Sequence, residues 1–247
     1  MRGVILSVVG SIAATAAFGA DLPTNATQTA AVSAYNWTGV YVGGQLGYGW
    51  GRADITNING SVNFPAGTQS AHDYGGVIGG GQLGYNFQFN RIWVLGVEGD
   101  FAWSGIDGTT NNISAVNPAV LSSSGTKVKW LATATGRAGY AANNWLYYAK
   151  GGAAWARYEG NNITTNAGAL TTLSSGSETR SGWTLGAGLE YAWGSWSTRF
   201  EYDYMDFGTK QISRNVTFAT GVVPNPLLRN SDAHIQAIKF GINYRFN

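Results

Sequence analysis

Three features of the 247-residue chain predict an all-β fold: an eight-stranded antiparallel transmembrane β-barrel, up-and-down in order, with four long external loops and short periplasmic turns. Charge is scarce, no apolar run is long enough for a membrane helix, and apolar residues recur with a period of two. Charged residues make up 11% of the chain, against roughly 25% in ordinary soluble domains. Hydrophobic content is nevertheless only 44%, and no uninterrupted apolar run approaches the roughly 20 residues that a spanning helix needs. A barrel reconciles the two, because only alternate strand residues face lipid.

The N-terminus has the grammar of an export signal. Met1-Arg2 supplies a positive charge, Val4 to Ala17 are mostly apolar, and Ala17-Phe18-Gly19 fits small-x-small cleavage before Ala20; cleavage after Ala20 also satisfies the rule. Residues 1–19 are therefore read as a cleaved signal peptide and 20–36, which carry neither period, as a periplasmic linker. Residues 37–247 are assigned to the barrel, and the chain is expected in the bacterial outer membrane after passage through the periplasm.

Within the barrel, Val40, Val42, Gly44, Leu46, Tyr48 and Trp50 form one apolar or small face of a first strand. The same periodicity predicts strands near 74–88, 92–103, 126–141, 145–158, 180–193, 196–208 and 233–246. Connections of about 20 residues at 51–73, 104–125, 159–179 and 209–232 alternate with tight turns at Asn90-Arg91, Asn143-Asn144 and Gly194-Ser195. About 12 residues per strand, rising ~3.3 Å each at a tilt near 40°, cross on the order of 30 Å. All ten tryptophans fall near a predicted strand end, as aromatic girdles at two lipid interfaces require. Trp37, Trp93, Trp145, Trp193 and Trp196 belong to the short-turn side; Trp50, Trp103, Trp130, Trp155 and Trp183 belong to the other.

Gly44-Gln45-Leu46-Gly47-Tyr48 recurs as Gly81-Gln82-Leu83-Gly84-Tyr85. With Trp37-Thr38-Gly39-Val40-Tyr41-Val42-Gly43 and the closing Gly241-Ile242-Asn243-Tyr244-Arg245-Phe246, these segments resemble small alphaproteobacterial outer-membrane proteins, a family of major surface antigens and hemin-binding proteins similar to OmpA-type eight-stranded barrels. The resemblance covers roughly residues 35–247. It implies the barrel fold, an outer-membrane location and insertion by the barrel-assembly machinery. The family usually ends on an aromatic residue that this machinery reads, whereas here Asn247 follows Phe246, a departure that bears on assembly rather than on fold.

Strand parity turns one set of charges inward: Glu98, Asp100, Arg137, Lys150, Glu190, Arg199, Glu201, Asp203, Lys239 and Arg245. An eight-stranded interior is just wide enough for side chains, so these charges are expected to pair into an ion network that plugs the lumen. No nucleophile, metal-ligand or cofactor motif is read, and the chain is not expected to be an enzyme. The glycines of Gly79 to Gly84 have dinucleotide-loop spacing but lie inside a strand, where they serve packing. A net charge of +2 without a basic patch gives no reason for nucleic-acid binding. His72 and His234, near the external rim, are either candidate hemin ligands or ordinary rim residues. Lys127 and Arg157, at outer strand ends, either meet lipopolysaccharide phosphates or stay solvated. The expected role is structural and surface-interactive, in contact with outer-membrane lipid and lipopolysaccharide and with a host surface through the loops. The alternative is hemin binding or narrow-pore uptake of small solutes.

Overall fold

The structure is a computed structural model that describes residues 35–58, 66–67, 69–114, 117–167, 169–214, 217–218, 221–222 and 227–246. The expected signal peptide and all but the last two residues of the expected linker lie outside the described residues. Eight long strands are present among those described: β1 (Gly39–Asn57), β2 (Gln69–Phe89), β3 (Trp93–Ile113), β4 (Val120–Ala142), β5 (Trp145–Asn166), β6 (Ala169–Trp193), β7 (Trp196–Arg214) and β8 (Leu227–Phe246). Two-residue strands, Thr217–Phe218 and Gly221–Val222, lie between β7 and β8.

Every long strand pairs antiparallel with its neighbours in sequence, and β1 pairs with β8, so the sheet closes into an up-and-down ring. Closure leaves no strand edge whose N–H and C=O groups would meet hydrocarbon unpaired. The stagger can be walked residue by residue. From Val40 the pairings lead to Tyr85, Val97, Gly136, Gly151, Leu185, Tyr204 and Gln236, and return to β1 at Trp50. A displacement of ten residues around eight strands corresponds to a strand tilt of about 40°.

The tight turns Asn90-Arg91, Asn143-Asn144 and Gly194-Ser195 occur where the sequence places them. Asn90, Arg91, Asn143 and Gly194 have positive φ of 51°, 61°, 53° and 57°, the conformation a short hairpin demands. The long connections differ from expectation. Most of what reads as loop at 51–73, 104–125 and 159–179 continues as paired strand: Ile113 is still opposite Leu121, and Val120 is opposite Asn166. Strands run to 19–25 residues, and even 19 residues at ~3.3 Å and ~40° rise on the order of 48 Å, well beyond an apolar band of ~25 Å. The period-two signal stops at the lipid boundary because a hairpin in water has no oily face; its hydrogen bonding does not stop there.

Inside the lipid zone the outward residues include Leu46, Val77, Leu83, Leu95, Val97, Leu185, Phe240 and Ile242, all exposed on the isolated chain. Aromatic pairs mark both limits. Trp93–Tyr140, Trp145–Tyr191 and Trp196–Tyr244 lie at the short-turn end, with ring centroids 5.8, 4.8 and 5.1 Å apart; Phe101–Trp103 and Trp183–Tyr204 lie toward the hairpins, at 5.1 and 5.6 Å. Trp37 departs from the expected girdle. It is fully buried, because it precedes β1, is free of strand parity, and folds across the short-turn mouth of the barrel.

Small residues give the interior its room. A Cβ on Gly84 would overlap the ring of Tyr41, and one on Gly80 would overlap Phe101 O and Ala102 Cα, whereas one on Gly136 meets nothing within 4 Å. Gly80→Val should therefore destabilise the barrel by about 3 kcal/mol, while Gly136→Ala should be neutral to within about 0.5 kcal/mol. Heat-modifiable gel mobility and urea titration of refolded variants check the pair; equal stability of the two variants would contradict the stated crowding.

Candidate functional site

The repeated Gly-Gln-Leu-Gly-Tyr segments show how the interior is built. In both copies leucine and tyrosine face lipid, while Gln45 and Gln82 point inward and are buried. Their amides reach across the lumen: Gln45 Nε2 donates to Asp100 Oδ1 at 3.1 Å, and Gln82 Nε2 donates to Asn243 Oδ1 at 2.6 Å. A motif that strand repetition alone would explain thus also sets polar groups at one level of the barrel.

Nine of the ten inward charges named from parity meet at that level. Lys150 on β5 lies at the centre, its Nζ 3.3 Å from Glu98, 3.4 Å from Asp100, 2.8 Å from Glu201 and 3.7 Å from Asp203. Lys239 on β8 reaches Asp203 at 2.6 Å, Glu201 at 2.7 Å and Asp100 at 3.6 Å. Arg199 on β7 bridges Glu98 at 2.6 Å and Asp100 at 3.0 Å, and its Nη2 also donates to Gln45 Oε1 at 2.8 Å. Arg137 on β4 lies between Glu190 at 3.4 Å and Glu98 at 3.6 Å. Neutral groups complete the shell. Tyr41 Oη donates to Glu98 at 2.6 Å, Tyr148 Oη to Glu201 at 2.8 Å, Thr133 Oγ1 to Asp100 at 3.0 Å, and Ser197 and Asn243 donate to Glu190.

The tenth charge sits apart from the ion pairs. Arg245, near the short-turn end of β8, stacks its guanidinium 4.6 Å from the Trp37 ring and donates to Asn36 O at 3.2 Å. Parity placed it inward correctly but could not show that an aromatic ring, rather than a carboxylate, is its neighbour. Counting it, the ten charges named from parity comprise five cations and five carboxylates and are formally neutral as a set; nearer the hairpins, buried Arg180, which is not among the ten, pairs with Glu178 at 2.7 Å.

Two apolar layers enclose the charges. Toward the short turns, Trp37, Val94, Ala141, Leu146, Tyr148 and Ala192 pack together. Toward the hairpins, Ile78, Ile106, Val128, Leu131, Met205, Phe207 and Ile235 belong to a second cluster, which Tyr74 and Tyr158 join. Sequence reasoning missed this upper layer. Pairs such as Val77-Ile78 and Trp130-Leu131 are apolar on both parities, and bulges between Trp103 and Ile106 and between Val128 and Trp130 shift the phase where the layer begins.

The carboxylates of Glu98, Asp100 and Glu201 offer oxygens within 4.8 Å of one another, a spacing that could hold a cation. Lys150 already occupies that position, within 3.4 Å of all three. A primary ammonium answers the same repulsion that a metal ion would.

At the rim, the two histidines take opposite sides of the sheet. His72 and His234 flank neighbouring positions of β1, opposite Ala53 and Arg52. Cross-strand partners share a face, and Ala53 is buried while Arg52 is exposed. His72 therefore points into the barrel, and His234 lies on the outside, its ring stacked 6.1 Å from Tyr204. The sheet wall therefore lies between their two imidazoles. Lys127 is exposed on the outer wall, and Arg157, also outward, donates to Ser177 Oγ at 2.8 Å and Thr179 Oγ1 at 3.3 Å.

Comparison with known proteins agrees with this architecture. A family model described as "Outer membrane protein beta-barrel domain" matches residues 11–246. The chain is 34% identical to the 31 kDa outer-membrane immunogenic protein of Brucella melitensis over the full length of both proteins. It is 32% identical to the 25 kDa outer-membrane immunogenic protein of Brucella abortus, covering 86% of this chain and 80% of that protein. Among solved structures, the outer membrane protein OprG of Pseudomonas aeruginosa aligns over 85% of this chain and 97% of its own, with 11% identity and a TM-score of 0.46. The sealed ring, its two-sided strands and the match along nearly the whole sequence place the chain in the outer-membrane β-barrel family, as an outer-membrane protein related to these alphaproteobacterial surface antigens.

Proposed function

We propose that the protein is a closed, non-catalytic barrel whose work lies outside its lumen: it contributes to envelope integrity and carries strand hairpins to the cell surface, where they meet a host surface. The observation that carries this reading is the interior itself. A conducting pore needs a continuous polar path, but here a charged layer in which each cation but Arg245 contacts at least one carboxylate lies between two apolar layers. An ion crossing it would have to displace several buried pairs at once, each held in low dielectric. The same pairing argues against catalysis, since Glu98, Asp100, Glu190 and Glu201 all accept hydrogen bonds and Asp203 ion-pairs with Lys239. Hairpins that continue well past the lipid zone supply the surface-exposed part. The word "immunogenic" in the names of the Brucella relatives supports exposure of the corresponding regions.

Planar-bilayer recording of the refolded protein tests the closed interior. Silence or rare, small openings are expected; large steady steps would make it a porin. Removing the central cation should open the same question from inside. Lys150→Met strands buried carboxylates and should cost about 3–5 kcal/mol in urea titration, with more frequent openings in the bilayer. A variant as stable and as silent as the parent would show that Lys150 is not what holds the plug together.

A further inference from the structure

The outer wall is not uniform around the ring. On β4 and β5 the lipid-facing positions are small: Ala134, Gly136 and Ala138 stand beside Ala153, Gly151 and Ala149, paired across the two strands. Elsewhere glycines alternate with bulky side chains such as Leu46, Leu83 and Val97. At the hairpin end of the same two strands, above Trp130 and Trp155, the wall carries Lys127, Lys129 and Arg157, with Lys129 set in the bulge between Val128 and Trp130.

Charge is sorted in the same way. Glu159 pairs with Lys129 at 3.2 Å, and Asp107 and Glu159 are the cross-strand neighbours of Lys127 on β3 and β5, but among the described residues neither Lys127 nor Arg157 has a carboxylate within 4.0 Å, so three cations stand against two carboxylates in this sector. At the corresponding level across the ring, β1, β2, β7 and β8 present Asp54, Asp73, Asp206 and Asp232 around Arg52, which is itself paired with Asp54 at 3.2 Å and Asp73 at 3.8 Å. Cations thus concentrate on one sector at the lipid–water boundary. Beside them runs a groove of about 500 Å3 lined by Lys127, Lys129, Glu159, Asn161, Ser175 and Ser177.

We infer that the β4–β5 face is a docking surface for one phosphorylated, multiply acylated glycolipid of the outer leaflet, its phosphates on Lys127, Lys129 and Arg157, its sugars toward the hydroxyl-lined groove, and its acyl chains on the flat Ala/Gly wall. The cations carry the assignment: lysine and arginine at the headgroup level attract anionic lipid, and arginine binds phosphate with a planar pair of donors. The flat wall adds shape, because chains pack closely where no side chain projects. This surface is on the outside of the barrel, so it stands or falls separately from the closed-lumen reading, which bilayer conductance tests.

The test uses the full chain refolded in detergent and titrated with purified hexa-acylated diphosphoryl lipid A, with folding of each variant verified by heat-modifiable mobility. Bound lipid is counted by native mass spectrometry. Lys127→Gln/Lys129→Gln/Arg157→Gln should weaken binding by roughly a hundredfold. Gly136→Leu/Ala149→Leu, which fills the wall from the lipid side, should weaken it by about tenfold, and removing the lipid phosphates should weaken binding to the parent but not to the triple variant. Equal binding by parent and triple variant overturns the proposal, as does equal binding of phosphate-free lipid. Loss of a dimer in Gly136→Leu/Ala149→Leu with lipid binding intact would instead assign the wall to a second copy of the chain.

Discussion

Everything in this molecule follows from the absence of water in the hydrocarbon layer. A backbone crossing it must pair every N–H and C=O within itself, and for strands the solution is a closed ring. Eight strands with a ten-residue stagger satisfy that demand, and they also set the bore. The cylinder has no space for an aqueous channel unless its inward side chains are small. Here many are large: Tyr41, Arg137, Tyr148, Lys150, Arg199 and Lys239 all point inward. Some glycines leave room for such side chains, as at Gly84 beneath the Tyr41 ring.

Filling the bore with charge rather than hydrocarbon is the less obvious choice, since a well-packed apolar interior is commonly as stable as a buried ion-pair network. The two-faced strand supplies the reason. Its outer face must be apolar to meet lipid; were the inner face apolar as well, each strand would be a continuous oily segment, prone to self-association before insertion. Inward charges on β3 to β8, and the inward amides Gln45 and Gln82 on β1 and β2, keep each strand amphipathic while it is still in water, and the charges become neutral as a set only when the ring closes. Glu98 on β3 finds Lys150 on β5 and Arg199 on β7 only in the finished barrel. The network therefore favours one closed register over shifted ones, because a slip of one residue would turn these charges toward lipid.

The sequence shows the ring and the inward charges for one reason: within the lipid zone, parity alone separates two solvents, and period two is a strong signal there. It falls silent in three places, each for a physical cause. Above the lipid zone both faces are wet, so the paired hairpins read as loops. Where neighbouring residues are both apolar, as at Val77-Ile78, parity has nothing to sort, and the upper apolar layer went unseen. Trp37 lies before the first strand, where no period applies, and a tryptophan that reads as girdle is instead packed under Arg245. The histidines show a further limit. Proximity along the rim could be inferred from β1–β8 closure, but which side of the wall each imidazole occupies depends on register one residue at a time.

Height and facing divide the chain into parts that scarcely constrain one another. Most inward residues meet one another, the outward residues meet lipid, and the hairpin ends meet water. A change on the β4–β5 wall leaves the lumen pairs untouched, because the strand ladder lies between them; the hairpin end is joined to the interior by side chains where Lys210 pairs with Glu178, Glu178 with buried Arg180, and Arg180 stacks on Tyr158. Such separation suits a surface protein. Stability comes from the ring and its filling, so the exposed strand ends are free to vary in sequence without losing the fold that presents them.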